Sequence, residues 1–209
     1  MKGRVMLKYV NTDVVFQEIP DEVTLAINIS NCPCHCPGCH SRYLWEDIGL
    51  SLDTEAIDAF IIKYGKSITC LAFMGGDSDP KAINLLAQYI HEKYPQYKVG
   101  WYSGRLRIPS VVNRKDFDYI KIGPYIRHLG PLGNPTTNQR MYRQNDTGTF
   151  DDITERFWRK GREADVLSAS LHFLFPFTSN SCCCSPISTG CLFYSFALLL
   201  LGQNILACF

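Results

Sequence analysis

The chain has 209 residues, of which 46% are hydrophobic, so it is long enough to bury one sizeable core. Its 21 basic and 20 acidic residues nearly cancel, so the charge balance gives no indication of nucleic-acid binding. The opening residues lack the apolar stretch of a secretory signal, so we expect a cytoplasmic protein. In that compartment ten cysteines favour metal binding or catalysis over a disulfide framework.

The first predicted elements are a strand, a helix and a second strand. Residues 23–29 (VTLAINI) are rich in β-branched side chains, which favours a strand. Residues 52–66 carry apolar side chains at helical spacing, with Asp53 as the expected N-cap and Gly65 as the expected stop. Residues 67–74 form a near-continuous apolar run, which is typical of a strand buried on both faces.

The alternation continues further along the chain. Asp79 and Pro80 predict the cap and the first position of a second helix. Residues 98–104 and 117–123 predict two further strands. Because such alternation implies parallel strands with crossover helices, we predict an α/β fold, a partial (βα) barrel with mostly parallel strands.

Composition changes abruptly near residue 169, which divides the chain into a domain of residues 1–168 and a tail of residues 169–209. The tail contains no Lys, Arg, Asp or Glu, yet it holds five of the ten cysteines. Its end, residues 191–209, is of marginal length for a membrane anchor, and its adjacent cysteines lack the spacing of a metal site. We interpret the tail as the product of a shifted or extended reading frame.

Chemically distinctive residues follow each predicted strand. Carboxyl ends of parallel strands meet at one edge of a sheet, so we expect these residues to converge there. They are, in chain order, the loop of residues 31–40, then Gly75, Gly76 and Asp77, then Ser103 and Gly104, and last Lys121 and Gly123.

Four cysteines lie within eight residues of the first loop. Cys32, Cys36 and Cys39 form the spacing CxxxCxxC, and Cys34 lies inside the first gap. Three thiolates suit a [4Fe–4S] cluster, because each iron takes one thiolate and the fourth iron stays open for a substrate. The alternative is a zinc site. Its ligands would be Cys34, Cys36, Cys39 and either His35 or His40.

Several stretches of the sequence resemble known proteins. The CxxxCxxC loop, followed after the next strand by a Gly-Gly-acidic turn, is similar to the radical S-adenosylmethionine superfamily. The phrases CPGCH, MGGD, GPYIRHLGPL and TTNQRMYR resemble the family of activating proteins of anaerobic ribonucleoside-triphosphate reductase. The similarity extends from about residue 6 to residue 158.

The resemblance implies an oxidoreductase with the partial barrel of that superfamily. In this family the open iron of a [4Fe–4S] cluster binds S-adenosylmethionine, and an electron from the cluster cleaves it to methionine and a 5′-deoxyadenosyl radical. That radical takes a hydrogen atom from a glycine of the reductase, so the large reductase subunit is the implied protein substrate. A flavodoxin-like electron donor is expected, whereas binding to nucleic acid or to a membrane is not. The alternatives are an activase of another glycyl-radical enzyme and a non-catalytic zinc-binding module.

The resemblance also assigns roles to individual residues. The implied cluster ligands are Cys32, Cys36 and Cys39. The implied cofactor contacts are Gly38, Cys39, His40, Gly75, Gly76, Asp77 and Ser103. Asp77 is expected to accept a hydrogen bond from the ammonium of the methionine end, and Ser103 to contact its carboxylate. Gly38 stands where many superfamily members have an aromatic residue, so Tyr43 or Trp45 is expected to stack on the adenine. Residues 136–140 (TTNQR) are expected near the site or the partner surface, without an assigned role.

Overall fold

The computed structural model describes residues 6–158, so the tail of residues 169–209 lies outside the described residues. The strands are β1 (Lys8–Val15), β2 (Thr24–Ile29), β3 (Leu50–Ser51), β4 (Cys70–Met74), β5 (Lys98–Tyr102), β6 (Tyr119–Ile122), β7 (Arg140–Gln144) and β8 (Phe150–Asp152). The α-helices are α1 (Thr54–Tyr64) and α2 (Pro80–Lys93), and short 3-10 turns cover Arg42–Trp45, Gly65–Ser67 and Arg114–Asp116. Within residues 6–158, no helix has the length and apolar character needed to cross a bilayer.

All eight strands belong to one sheet in the order β3-β1-β2-β4-β5-β6-β7-β8. The central strands β2, β4, β5 and β6 are parallel neighbours. The outer pairings, which join β1 to β2, β1 to β3, β6 to β7 and β7 to β8, are antiparallel. The α/β class is therefore confirmed, but the prediction of mostly parallel strands is wrong, because four of the seven pairings are antiparallel. Within the described residues the sheet is open and does not close into a barrel.

The predicted helix starts are confirmed by their caps. The Asp53 carboxylate accepts a hydrogen bond from the Ala56 amide at 3.0 Å, and the Asp79 carboxylate accepts one from the Ala82 amide at 3.1 Å. Helix α1 ends where expected, although Gly65 stays right-handed and begins a 3-10 turn rather than reversing the chain.

Two expectations about the strands and their connections are corrected. The strand predicted from residue 67 begins at Cys70. Its preceding residue, Thr69, uses its hydroxyl oxygen to accept a hydrogen bond from the Val23 amide at 3.0 Å. The connection between β5 and β6 contains a 3-10 turn, Arg114–Asp116, in place of a crossover α-helix.

The two faces of the central sheet differ in character. Helices α1 and α2 pack on one face, against alternate large apolar residues of the parallel strands. These are Leu25, Ile27, Ile29, Leu71, Phe73, Val99, Trp101 and Ile120. The opposite face carries small residues such as Ala72 and Gly100, and Ile19 packs there so closely that a Cβ on Gly100 would lie 2.6 Å from its Cδ1. Larger side chains such as Tyr119 and Met141 also pack on this face, which therefore forms a second, smaller part of the core.

A buried carboxylate joins three strands at the opposite end of the sheet. Glu22 is 6% exposed and accepts hydrogen bonds from the Thr69 hydroxyl at 2.6 Å and the Tyr119 hydroxyl at 2.9 Å. The Lys98 ammonium donates to the same carboxylate at 2.5 Å. Because a buried charge needs such partners, this network holds the segment before β2 against β4, β5 and β6.

We predict that Glu22→Gln destabilises the fold. The substitution keeps the side-chain volume but removes the charge that receives three donors, so the free energy of unfolding should fall by about 1.5–3 kcal/mol. Urea unfolding followed by circular dichroism measures the change. The matched control is Glu92→Gln on the exposed surface of α2, for which we expect a change within about 0.5 kcal/mol. Equal effects of the two substitutions would contradict the stabilising role of Glu22.

Candidate cluster-binding site

The cysteine loop leaves the carboxyl end of β2 and is closed by backbone hydrogen bonds. The Asn31 amide donates to the Glu46 carbonyl, and the Cys32 amide donates to the Leu44 carbonyl, both at 2.9 Å. The Ser30 hydroxyl donates to the Ile48 carbonyl at 2.6 Å. These bonds bring the 3-10 turn back to the start of the loop, so the thiols stay next to the strand end.

Left-handed residues bend the loop around its cysteines. His35 has a φ of 42° and Gly38 a φ of 83°, and the Cys39 amide donates to the Cys36 carbonyl at 3.0 Å across the turn that contains Gly38. A Cβ on Gly38 would also lie 3.4 Å from the Tyr125 ring. That distance is an ordinary van der Waals contact, so the left-handed backbone is what favours glycine at this position.

The donor set of the loop fits an iron–sulfur cluster. Its four cysteines are free thiols of intermediate exposure, so they are accessible, whereas Cys70 is fully buried in β4. Within residues 6–158, no three Cys, His, Asp or Glu side chains converge as the ligands of a single metal ion do. Thiolates that bind a cluster each contact a different iron and need not converge on one point.

Cys32 and Cys34 differ in their preferred protonation state. The hydrogen bond between their side chains lowers the pKa of Cys32 to about 6 and raises the pKa of Cys34 above its usual range. Burial and the negative charge of Asp77 raise the pKa of Cys34 further. The two thiols are therefore not equivalent, although they lie only two positions apart in the loop.

Histidine and aromatic residues surround the loop. The His35 ring stacks on Trp45 with centroids 4.8 Å apart, and the Arg42 guanidinium lies 5.6 Å from the same indole. His40 makes an edge contact with Tyr125 at 5.8 Å. Of the two residues expected to stack on adenine, Trp45 already has these ring partners, whereas Tyr43 is 46% exposed.

The two glycines after β4 are required by packing as well as by backbone conformation. Gly75 has a φ of 111° and Gly76 a φ of 85°. A Cβ on Gly76 would collide with the side chain of Ile83 on α2. The Gly75 carbonyl accepts a hydrogen bond from the Trp101 indole at 2.8 Å. This turn therefore fixes where α2 begins relative to the carboxyl ends of β4 and β5.

The structure brings Asp77 and Ser103 together, as their positions after neighbouring strands predict. Each is 1% exposed, and the Ser103 hydroxyl donates to Asp77 Oδ1 at 2.6 Å. The Gly104 amide donates to Asp77 Oδ2 at 2.7 Å, and Arg105 donates to the Asp77 main-chain carbonyl at 2.7 Å. The two side chains thus bind each other, and their contacts with a cofactor stay predictions.

Lys121 lies near the cysteine loop, at the edge where the sequence predicts that it converges with the other residues, although no role in the site was assigned to it. It is 9% exposed, and its ammonium donates to the Gly123 carbonyl at 2.7 Å. Burial lowers the pKa of Lys121 to about 8, although the charges of Cys36 and Asp77 oppose this change. The signal in the sequence was a lysine within the apolar strand residues 117–123, since lysine is almost never fully buried without a partner.

Residues 136–140 (TTNQR) pack on the turn that follows β6. The Asn138 side-chain amide donates to the Pro124 carbonyl at 3.0 Å, and a Cβ on Gly123 would lie 3.0 Å from the Gln139 Cα. Gln139 is 6% exposed, and its side chain lines a cavity of about 450 Å³ together with Lys121. The motif thus lies at the same end of the sheet as the cysteine loop. The remaining lining residues are Gln17, Glu18, Tyr102, Pro131, Leu132, Gly133 and Phe157.

Comparison with known families finds one match. Residues 23–113, which include the cysteine loop, β4, β5 and both helices, match the model of a 4Fe-4S single cluster domain. No curated protein and no solved structure matches the chain. The chain is therefore similar over these residues to a domain that carries one iron–sulfur cluster, which agrees with the thiol donor set of the loop.

Proposed function

We propose that this chain activates anaerobic ribonucleoside-triphosphate reductase by forming a glycyl radical on its large subunit. The observation that carries the proposal is the CxxxCxxC loop at the carboxyl edge of the parallel strands, within the stretch that matches a single-cluster domain. The motifs that resemble the activating proteins, including TTNQR, border the same edge. This coincidence supports one joint site rather than separate structural motifs.

Cys32, Cys36 and Cys39 would hold the cluster, because their spacing supplies three thiolates from one loop. When bound, a [4Fe–4S] cluster with three protein ligands supplies an open iron for S-adenosylmethionine and the electron that cleaves it into methionine and a 5′-deoxyadenosyl radical. His35 and Gly38 adopt left-handed backbone conformations in this loop, which let the chain turn between the cysteines.

Lys121 is proposed to bind the anionic end of the cofactor. It is a nearly buried cation beside the cysteine loop, and a carboxylate would receive a charge-assisted hydrogen bond from its ammonium. Ser103, the residue expected in this role from the resemblance, already donates to Asp77. The buried amide of Gln139 adds a donor and an acceptor to the same cavity.

The protein substrate is proposed to approach the face of the sheet that α1 and α2 leave uncovered. A cavity of about 450 Å³ lined by Lys121 and Gln139 adjoins the core residues of that face, and it gives room for part of an extended segment with a glycine. A flavodoxin-like protein is proposed as the electron donor.

Anaerobic reconstitution with iron and sulfide tests the proposal. We expect a brown protein that, with a chemical reductant and S-adenosylmethionine, releases 5′-deoxyadenosine and methionine in equal amounts. Added anaerobic ribonucleotide reductase should then show a glycyl radical by electron paramagnetic resonance. A colourless protein that retains zinc would overturn the proposal in favour of a zinc module. Cofactor cleavage that yields a radical only on another glycyl-radical enzyme would overturn the assignment of the partner.

A further inference from the structure

Cys34 is the cysteine of the loop that the CxxxCxxC spacing leaves without a role. Its thiol lies 3.6 Å from Asp77 Oδ2, and so it reaches from the loop after β2 to the turn after β4. The contact spans 43 positions of the chain. It connects the cysteine loop directly with the most buried carboxylate at this edge of the sheet.

Gly104, which follows β5, meets the same sulfur. A Cβ at this position would lie 2.7 Å from Cys34 Sγ and 3.2 Å from Cys34 Cβ. Gly104 has no left-handed backbone that would call for glycine, so the space taken by the sulfur accounts for the missing side chain. The Gly104 amide also donates to Asp77 Oδ2 at 2.7 Å. One carboxylate oxygen therefore receives both the Cys34 thiol and the Gly104 amide.

We propose that Cys34 is a positioning residue, whose thiol fastens the cysteine loop to the ends of β4 and β5 through Asp77 and Gly104, and that it is not a ligand. This inference rests on the proposed function, in which the loop holds a cluster. A ligating thiolate would have to leave this position or lie beside a carboxylate, where like charges repel. Cys34 Sγ instead lies 3.6 Å from Asp77 Oδ2 and fills the space beside Gly104, which leaves Cys32, Cys36 and Cys39 to bind iron.

The first test compares cluster retention in reconstituted full-length variants. Outer partners of metal ligands typically contribute 10–100-fold to metal affinity, so we expect Cys34→Ala to release its cluster to a chelator about tenfold faster. Cys34→Ser keeps a donor of similar size and should release it at nearly the wild-type rate. Gly104→Ala displaces the sulfur and should behave like Cys34→Ala. All three variants should assemble the wild-type amount of iron per chain.

Two results of this test would overturn the inference. Failure of both Cys34→Ser and Cys34→Ala to assemble a cluster would identify Cys34 as a ligand. Release at the wild-type rate from both Cys34→Ala and Gly104→Ala would show that the contact holds nothing in place.

A second measurement separates this inference from the proposed function, because it uses the full chain without iron. We expect Cys34→Ala to lower the Tm by about 2–4 °C. In a chain that already carries Asp77→Asn, Cys34→Ala should lower the Tm by less than about half as much, because the carboxylate that Cys34 contacts is already lost. Additive effects of Cys34→Ala and Asp77→Asn would contradict the stabilising contact between Cys34 and Asp77, even if the cluster assembles. If the effects are coupled but the chain binds no cluster, the contact between Cys34 and Asp77 is supported and the proposed function is not.

Discussion

Serine substitution of Cys32, Cys36 or Cys39 is expected to abolish cluster assembly and cofactor cleavage. A serine hydroxyl is a harder, far less acidic donor than a thiol, so one iron would lose its ligand. Even partners behind the ligands contribute 10–100-fold to metal affinity, so we expect iron and sulfide content to fall at least about tenfold. Chemical iron and sulfide analysis and visible absorbance, recorded after anaerobic reconstitution, measure the effect.

The matched controls come from the same chain. Cys34→Ser changes a thiol inside the same loop and should keep the cluster, because the Cys34 side chain contacts Asp77. Cys70→Ala changes a fully buried thiol in β4 and should also keep it. A variant of Cys32 that retains full iron, together with a Cys34→Ser variant that loses it, would show that the loop uses a different ligand set.

The central part of the fold could be predicted from the sequence because its strands are buried on both faces. Residues 23–29 are rich in β-branched side chains, residues 67–74 form a near-continuous apolar run, and each helix start carries an aspartate cap whose hydrogen bond the structure confirms. Strands β1 and β7 were not predicted. Their sequences, KYVNTDVV and RMYRQ, mix polar and apolar residues because they are only partly buried near the sheet edges, so no apolar run identifies them.

The sequence predicts at which edge of the sheet the site residues lie, but it does not predict the contacts between individual side chains. Parallel topology places Asp77 and Ser103 after neighbouring strands, and that reasoning correctly brings them together. It does not give side-chain directions, so it missed that the two side chains bind each other and that Cys34 points at Asp77. The place of Lys121 at this edge was predicted, but its burial was not, because burial depends on later residues such as Leu132 and Gln139, which line the same cavity.

Lys121→Met is expected to weaken binding of S-adenosylmethionine about 10–100-fold without loss of the cluster. A hydrogen bond to a charged group contributes about 1.5–3 kcal/mol, and each 1.4 kcal/mol is a factor of ten in the dissociation constant. Methionine keeps the length of the side chain but offers no donor. Anaerobic calorimetry with S-adenosylmethionine measures the affinity, and iron analysis confirms the cluster content. Lys81→Met, at an exposed position of α2, is the matched control and should bind the cofactor as the wild type does.

Lys121→Met is expected to weaken cofactor binding but to stabilise the fold near pH 7, and the size of this stabilisation depends on pH. Burial lowers the pKa of Lys121 from its ordinary 10.5 to about 8, so between these values the unfolded chain binds more protons than the folded one. Stability from this residue therefore rises as pH increases from about 8 to 10.5, by at most about 3 kcal/mol. Relative to Lys121→Met, the wild type should gain unfolding free energy over this window and be the less stable of the two near pH 7. Parallel curves for the two proteins, with equal affinities for S-adenosylmethionine, would show that Lys121 is an exposed cation outside the site.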